Sequence, residues 1–286
     1  MKSTLSIVLF TLIFSVCAFA QMSLPNESQR QEVTQTVGDT KISIVYHRPN
    51  TKGREVWGKL VPYGEVWRTG ANDNTTFEVT NDVTINGQAL PKGKYGLHTI
   101  PNKKEWIIIF SKVNNEWGSF TYKEQNDALR VKVMPTKVPM QETMSLDFGD
   151  VTANTTKVVI AWEKLNVGFG VNVGDVTGRT LTAIRSAIET RKPEDARPLN
   201  LGARFVSSNK LKENYDEAMM WLDKSIAIKE TFGNLSAKAR LLGETGKVAD
   251  EIMTGEKAVM VGKASTPAAN TADFEKTIAE WKAMKK

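Results

Sequence analysis

The sequence contains two histidines, His47 and His98, and these are its only candidates for imidazole chemistry. Each follows a tyrosine in a stretch of alternating apolar and polar residues, the pattern of a β-strand. If the two strands were neighbours, the histidines would form part of a metal site that a carboxylate could complete. The signatures H-E-x-x-H and G-x-S-x-G are absent, so zinc peptidases and serine hydrolases lack their usual geometry. The alternative is that both histidines are ordinary strand residues on half-exposed faces.

The segment 46–74, YHRPNTKGREVWGKLVPYGEVWRTGANDN, concentrates basic and aromatic side chains. Guanidinium groups can donate planar pairs of hydrogen bonds to a carboxylate or sulfate, and tryptophan rings offer flat faces to a sugar or an aromatic ligand. The segment therefore predicts a binding patch carried on a loop. The candidate ligand-binding residues are Arg48, Arg54, Trp57, Trp67, Arg68, Asn72 and, outside the segment, His98.

A structural interpretation of the same segment remains open. In it, the two tryptophans fill one end of a β-sandwich, because tryptophan is mostly buried in folded proteins. The arginines would then pair with the nearby carboxylates of Glu55, Glu65 or Asp73, a common arrangement for a guanidinium.

Several short motifs resemble domain-of-unknown-function family 2911. They are Y-x-R-P at 46–49, K-G-R at 52–54, V-P-Y-G at 61–64, V-W-R-T-G-A-N at 66–72, L-P-x-G-x-Y at 90–95 and I-P at 100–101. The resemblance covers about residues 24–173 and implies an exported protein of Bacteroidota, often with a helical tail similar to tetratricopeptide repeats. It implies no activity.

Strand patterns separated by turn signals fill residues 38–173. The strongest turn is Asn86-Gly87, a typical two-residue hairpin loop. The predicted strands are 41–46, 76–80, 83–85, 88–90, 95–100, 106–110, 119–123, 128–134, 141–148, 156–163 and 167–173. About ten short strands predict an antiparallel sandwich or a barrel-like β domain over residues 21–175.

Residues 176–286 have helical periodicity and form the second predicted domain, which is smaller and all-α. Helices are predicted after Gly178 and over 214–230, 235–243, 247–261 and 272–284. The four residues that begin at Asp223 recur at Glu256, a shift of 33 residues. The spacing of Tyr215, Ala218, Leu222 and Ser225 resembles the core of a tetratricopeptide repeat. We predict a partner-binding surface around Tyr215 and Trp221. A plain helical hairpin packed on the β domain is the alternative.

Residues 1–20 predict a secretory signal peptide with cleavage before Gln21. Lys2 precedes an apolar run, and Ala18-Phe19-Ala20 supplies small residues at the positions that signal peptidase reads. Cys17, the single cysteine, falls inside this signal, and Val16 before it is a poor match to lipoprotein processing. We expect a soluble exported protein, periplasmic or extracellular.

Composition excludes several classes of protein. The 286 residues carry 38 Lys and Arg against 32 Asp and Glu, and this small, unclustered excess does not indicate nucleic-acid binding. One cysteine excludes disulfide frameworks, zinc fingers and iron–sulfur clusters. We expect no cofactor, metal or membrane span.

The sequence favours a non-catalytic module for a small molecule, glycan or envelope component, with a protein partner on the helical tail. The alternative is an extracytoplasmic hydrolase or metal-assisted enzyme using His98, His47 and a carboxylate.

Overall fold

The structure, a computed structural model, describes residues 25–284; the predicted signal peptide lies outside them. The described chain divides into two compact units. The first comprises the residues up to Gln35 together with Lys41–Asp150 and Thr156–Val171, and the second comprises Thr36–Thr40, Val151–Thr155 and the chain from Asn172 onward. The first unit is built of β-strands, and the second contains all the helices described below. The predicted fold class, a β domain followed by a helical domain, is confirmed.

Ten strands form two sheets in the described residues. Their bounds are β1 Gln29–Val37, β2 Thr40–Arg48, β3 Thr76–Val79, β4 Val83–Ile85, β5 Gln88–Leu90, β6 Gly93–Ile100, β7 Trp106–Ser111, β8 Asp127–Val133, β9 Thr136–Gly149 and β10 Thr155–Asn172. One sheet has the order β1-β2-β3-β6-β7-β8, and the other has the order β5-β4-β10-β9. In the first sheet, the neighbouring pairs β2–β3, β3–β6, β6–β7 and β7–β8 are antiparallel. In the second sheet, the pairs β4–β5 and β9–β10 are antiparallel as well.

The core of the first unit lies between the two sheets. Phe77 of β3 and Phe110 of β7 have ring centroids 5.1 Å apart, and Phe169 of β10 lies 5.5 Å from Phe110. Edge-to-face contacts of this kind add to the burial of apolar area. Because the three rings come from both sheets, they join the sheets into a sandwich.

The chain leaves β2 and crosses to the other sheet, and this crossing positions the segment 46–74. Asn50 forms a bridge with Thr143 of β9. The Met144 amide donates to the Pro49 carbonyl at 2.9 Å, and the Thr51 amide donates to the Glu142 carbonyl at the same distance. The beginning of the segment is therefore held by β9 through backbone hydrogen bonds.

Two strand predictions were wrong. Residues 119–123 are not a strand; they belong to the irregular loop 112–126 between β7 and β8, where Gly118 has a φ of 75°. The predicted strands 156–163 and 167–173 are one long strand, β10. Register shifts on either side of Glu163 and its φ of 54° carry this strand through the polar break in its sequence.

The second unit contains six α-helices in the described residues. They are α1 Val176–Glu189, α2 Arg197–Ser208, α3 Tyr215–Ile228, α4 Phe232–Glu244, α5 Val248–Ala264 and α6 Ala272–Met284. Helices α3 and α5 begin 33 residues apart, the shift found in the sequence, whereas α2 was not predicted. The resemblance to tetratricopeptide repeats itself stays a prediction. No helix within residues 25–284 is long and apolar enough to cross a membrane.

Candidate functional site

Four tryptophans meet at one end of the sandwich. Trp57 lies 4.7 Å from Trp106 of β7 and 5.8 Å from both Trp67 and Trp162, the latter on β10. Trp67 stacks on Trp162 at 5.9 Å with an interplanar angle of 19°. Trp57, Trp106 and Trp162 are buried, whereas Trp67 is half-buried. The tryptophan cluster therefore anchors the segment 46–74 to both sheets while leaving part of Trp67 accessible.

Backbone hydrogen bonds fix the string from Trp67 to Asn72. Trp67 and Thr99 exchange two hydrogen bonds of 2.8 Å, and the Trp67 indole donates to the Gly70 carbonyl at 3.1 Å. Thr69 and Asn72 have positive φ values of 56° and 57°. A Cβ on Gly70 would lie 3.0 Å from the His47 carbonyl oxygen, so a larger residue would crowd this turn. The backbone on either side of Arg68 is thus held in one conformation.

A cavity of about 250 Å³ adjoins this string in the first unit. Its lining residues are Glu27, Ser28, Pro49, Asn50, Lys52, Arg54, Leu60, Val61, Trp67, Arg68, Gly70, Ala71 and Trp162. Among them are three cationic side chains and one carboxylate, and that carboxylate, Glu27, forms an ion pair with Lys52. The cavity therefore combines two tryptophan rings with an excess of positive charge.

Arg68 is the cation of this cavity without a partner. Its Nε is buried, and within residues 25–284 that nitrogen forms no hydrogen bond and the guanidinium forms no ion pair. Burial lowers the pKa of Arg68 from its ordinary value, but a guanidinium stays charged at neutral pH. Arg68 as a whole is half-buried, but a buried donor atom without a partner is costly, so Arg68 is the strongest candidate for contacting an anion.

The other candidate arginines are bonded to the backbone. Arg48 donates from Nε to the Met144 carbonyl at 2.9 Å. Arg54 donates to the carbonyls of Thr51 and Asn50 at 2.9 and 2.7 Å. Of the two, only Arg54 lines the cavity. Across the described part of the chain, no ion pair joins these arginines or Arg68 to the carboxylates of Glu55, Glu65 or Asp73.

Three further candidates lie outside the cavity lining. Trp57 is 7 % exposed and sits inside the tryptophan cluster. Asn72 donates from its side chain to the Ser28 carbonyl at 3.3 Å. His98 is fully buried beneath the loop 112–126. The structure thus places Arg54, Trp67 and Arg68 around one cavity, whereas Trp57, Asn72 and His98 do not line it.

The two histidines lie on strands that are not neighbours. β3 separates β2, which carries His47, from β6, which carries His98. Two strand spacings amount to roughly 10 Å. In residues 25–284, no group of three or more His, Cys, Asp and Glu side chains is placed to hold a metal ion. The structure therefore does not assemble the two-histidine metal site considered from the sequence.

His98 instead contacts the loop 112–126. Its Nδ1 lies 3.1 Å from the Ser119 hydroxyl, while its Nε2 is buried and without a hydrogen-bond partner in the described chain. A serine–histidine pair of the hydrolase type requires a third group that orients the imidazole, and none occupies that position here. Burial lowers the pKa of both His98 and His47.

The far end of the loop is tied down by a polar network. The Tyr122 hydroxyl donates to Asp127 Oδ2 at 2.6 Å, and Arg130 donates to Asp127 Oδ2 and to the Tyr122 oxygen, both at 2.5 Å. Burial, together with the Asp127 carboxylate, raises the pKa of Tyr122 to about 12. The sequence analysis missed this loop because its aromatic residues resemble an alternating strand.

The residues proposed for partner binding in the helical unit are buried. Tyr215 and Trp221 are each 6 % exposed and belong to a core formed by α1, α2, α3 and α4. Two adjoining cavities of about 580 and 620 Å³ lie elsewhere in this unit and share Ser207, Ser208 and Arg240. They form a groove bounded mainly by α2, α4 and α6.

These features define a two-unit protein: a β-sandwich with a tryptophan- and arginine-lined cavity, and a helical unit with a polar groove. Residues 28–171, just over half of the chain, match the family described as "Protein of unknown function (DUF2911)". The chain belongs to this family, which confirms the resemblance identified from the motifs. No curated protein and no solved structure matches the chain.

The unpaired state of Arg68 predicts how its removal affects stability. We expect Arg68→Met to leave the free energy of unfolding unchanged or to increase it by roughly 1 kcal/mol, because a half-buried cation with an unpaired, buried Nε is replaced by an apolar side chain. Arg130→Met is the matched comparison. It removes hydrogen bonds to Asp127 and should decrease the free energy of unfolding by roughly 1.5–3 kcal/mol. Urea denaturation measures both, and equal losses would show that Arg68 has a structural role.

Burial of the histidines predicts a pH dependence. The folded protein resists protonation of His98, whereas the unfolded chain takes up the proton below about pH 6.5. The free energy of unfolding should therefore decrease as the pH falls from 7.5 to 5.5. His98→Gln should make this decrease smaller, and urea denaturation at several pH values measures it. An unchanged pH dependence in the variant would contradict the assignment to His98.

Proposed function

We propose that the first unit is a binding module for a small anionic ligand that carries a ring. The observation that carries the proposal is the buried, unpartnered Nε of Arg68 in the wall of the cavity. A carboxylate or sulfate at this position would accept hydrogen bonds from the guanidinium and offset the cost of burying it.

The other cations of the cavity also favour a negatively charged ligand. Lys52 pairs with Glu27, and Arg54 donates to backbone carbonyls. The Glu142 carboxylate, which accepts hydrogen bonds from the Thr51 hydroxyl and the Lys52 amide, also interacts with the charges of Arg54 and Lys52. Only part of the Arg54 charge therefore adds to the field of Arg68. Among the residues that line the cavity, the single carboxylate, Glu27, is paired with Lys52, so an anion there is attracted mainly by Arg68.

The size and the aromatic wall of the cavity favour a ligand about one ring in size. Its volume of about 250 Å³ lies just below the range of pockets that hold drug-sized molecules. Trp67 is half-buried and lines the cavity, and its ring stacks on Trp162. The rigid support of Trp67 favours stacking, because little conformational freedom is lost when a ligand binds.

The proposal is for a binding module rather than an enzyme. The cavity contains neither histidine, and within residues 25–284 His98, which contacts Ser119, has no further hydrogen-bond partner to orient its imidazole. The groups that line the cavity provide hydrogen-bond donors and a stacking surface, which are the requirements of recognition.

We further propose that the module works outside the cytoplasm, as the predicted signal peptide 1–20 indicates, in the envelope of a Bacteroidota cell or beyond it. The cavity chemistry suits this location, because cell-envelope and extracellular polymers present acidic groups on sugar rings. The absence of cysteine after residue 17 also suits an oxidising compartment.

For the helical unit, we propose a partner protein that docks an extended segment in the groove of α2, α4 and α6. The groove floor follows one face of α4 and is built largely of small residues: Gly233, Ser236, Ala237 and Gly243. The groove lining carries three cations and three carboxylates, Arg204, Lys210, Arg240, Glu244, Glu251 and Asp273. The three cations are exposed and form no ion pair within the described residues. Arg240 also lies over the Phe274 ring at 5.0 Å. A terminal or side-chain carboxylate on the partner would complement these cations.

Matched pairs of ligands test the anion site. We expect benzoate and glucuronate to raise the melting temperature of the protein, and benzamide and glucose to leave it unchanged. A hundredfold excess over Kd corresponds to about 2.7 kcal/mol of added stability, and the effect should weaken with salt. Arg68→Met should abolish the shift, whereas Arg30→Met, at an exposed arginine outside the cavity, should not. Equal shifts with charged and neutral partners would refute the anion site.

Peptides with free and amidated C-termini test the groove. We expect fluorescence anisotropy of a labelled random-peptide pool to show binding that depends on the free carboxylate, and Arg240→Met to weaken that binding about tenfold, the loss of one charge-assisted contact. Lys224→Met, on the exposed surface of α3 outside the groove, serves as the control. If amidation and Arg240→Met have no effect, a carboxylate-dependent groove is ruled out.

A further inference from the structure

We infer that the ligand is an acidic oligosaccharide, with one acidic sugar in the cavity and the neighbouring sugar stacked on the exposed rings of Trp117 and Phe120. This inference rests on the proposed anion site. It adds a second subsite, carried by the loop 112–126, and it names the class of ligand.

Arg68 connects the cavity to this loop. It lines the cavity, and its Nη1 would lie 3.4 Å from a Cβ built on Gly118. The same Cβ would lie 2.8 Å from Cε2 of Phe120. Because Gly118 has no side chain, both the Phe120 ring and the Arg68 guanidinium can lie close to its backbone. A ligand whose acid group reaches Arg68 has an aromatic surface directly beside it.

The loop is fastened to the string that carries Arg68. Gly118 donates its amide hydrogen to the Asn72 carbonyl at 3.2 Å, and Trp117 forms a backbone bridge with Asp73. Asn74 and Glu116 exchange two further hydrogen bonds of 3.0 and 2.9 Å. The distance between the two subsites is therefore set by backbone contacts and does not depend on side-chain rotamers alone.

The loop is also packed closely against β6. A Cβ on Gly96 would lie 2.3 Å from the Val113 carbonyl oxygen and 2.7 Å from Asn74 Nδ2, so only glycine allows this approach. Ser119 contacts His98 and Tyr122 bonds to Asp127, as described above. With the loop held from beneath, the two aromatic rings are presented outward at little further cost in conformational entropy.

The exposure of these rings favours a sugar over other apolar ligands. Trp117 is 61 % exposed and Phe120 is 83 % exposed. A sugar stacks its C–H face on such a ring while its hydroxyl groups stay in water. A fatty acid would need an enclosed apolar channel to gain from burial, whereas the adjoining cavity contains Glu27, Lys52 and Arg54.

A protein partner fits this surface less well. Two aromatic side chains bury at most about 500 Å² in total, and a stable protein interface buries about 800 Å² on each partner. The cavity beside the rings is concave and about one ring in size. A short chain of sugars can place one unit in a concave cavity and contact an exposed ring with the next, whereas the surface of a globular partner does not enter a cavity of this size.

Oligosaccharides of defined length test the inference by isothermal titration calorimetry on the mature chain. The probes are galacturonic acid, trigalacturonate, a sulfated trisaccharide and neutral maltotriose. We expect trigalacturonate, the sulfated trisaccharide or both to bind about tenfold more tightly than galacturonic acid, and maltotriose not to bind. Preference between the two acidic probes identifies the acid group, carboxylate or sulfate, that Arg68 takes.

Variants separate the two subsites. Trp117→Ala and Phe120→Ala should each weaken binding of the acidic trisaccharide about threefold to tenfold and leave binding of galacturonic acid unchanged. Met134→Ala, an exposed apolar residue of the same unit outside the cavity lining, should change neither. Arg68→Met should abolish binding of both acidic ligands.

The outcomes distinguish the inference from the proposed function. If galacturonic acid binds through Arg68 but longer acidic chains bind no better, or if the aromatic variants lose nothing, the oligosaccharide inference is overturned and the anion site stands. Binding of maltotriose as tight as that of the acidic trisaccharide would also overturn it. If none of the acidic sugars binds while benzoate does, the sugar class is wrong. If no anion binds at all, the proposed function fails as well.

Discussion

The architecture of the β unit depends on the packing of Trp57, Trp67, Trp106 and Trp162. Trp106 belongs to the six-stranded sheet and Trp162 to the four-stranded sheet, whereas the other two come from the connecting segment. Large rings in edge-to-face contact restrict one another strongly, because each can shift only if its neighbours shift too. The cluster therefore closes the end of the sandwich and fixes the segment from which the cavity is built.

This constraint divides the basic and aromatic residues of the segment into two sets. Trp57 and Arg48 serve the fold, the first as a core ring and the second as a donor to the Met144 carbonyl. Trp67 and Arg68 are held by the same packing, but Trp67 is only half-buried and Arg68 Nε has no hydrogen-bond partner among residues 25–284. The structure thus assigns Trp57 and Arg48 to the fold, as the structural interpretation expects, whereas binding by Trp67 and Arg68 stays a prediction. A rigid support is also what a binding surface requires.

Periodicity alone predicted much of the fold. Alternation located β2, β3 and β6, and a continuous apolar run located β7. Asn86-Gly87 forms the tight hairpin between β4 and β5, with φ values of 47° and 82°. The pattern failed at residues 119–123, where aromatic alternation occurs without a pairing strand. The sequence pattern also does not show which arginine side chain lacks a hydrogen-bond partner. The carbonyl that occupies Arg48 is 96 residues away in the sequence, so only tertiary structure distinguishes Arg48 from Arg68.

The distribution of unsatisfied polar atoms gives a last argument for where function lies. Of seven buried side-chain atoms without a hydrogen-bond partner in the described chain, five belong to Trp57, Arg68, His98, Trp106 and Asp127. All five lie in the tryptophan cluster or beneath the loop 112–126, and buried polar atoms elsewhere in proteins are nearly always paired. A region that leaves a cation and several donors without partners lowers the stability of the fold. Such destabilising features are concentrated at functional sites. Stability alone would favour an apolar side chain in place of Arg68, and the cost of leaving its buried Nε without a partner in the described chain is the physical argument for the proposed anion site.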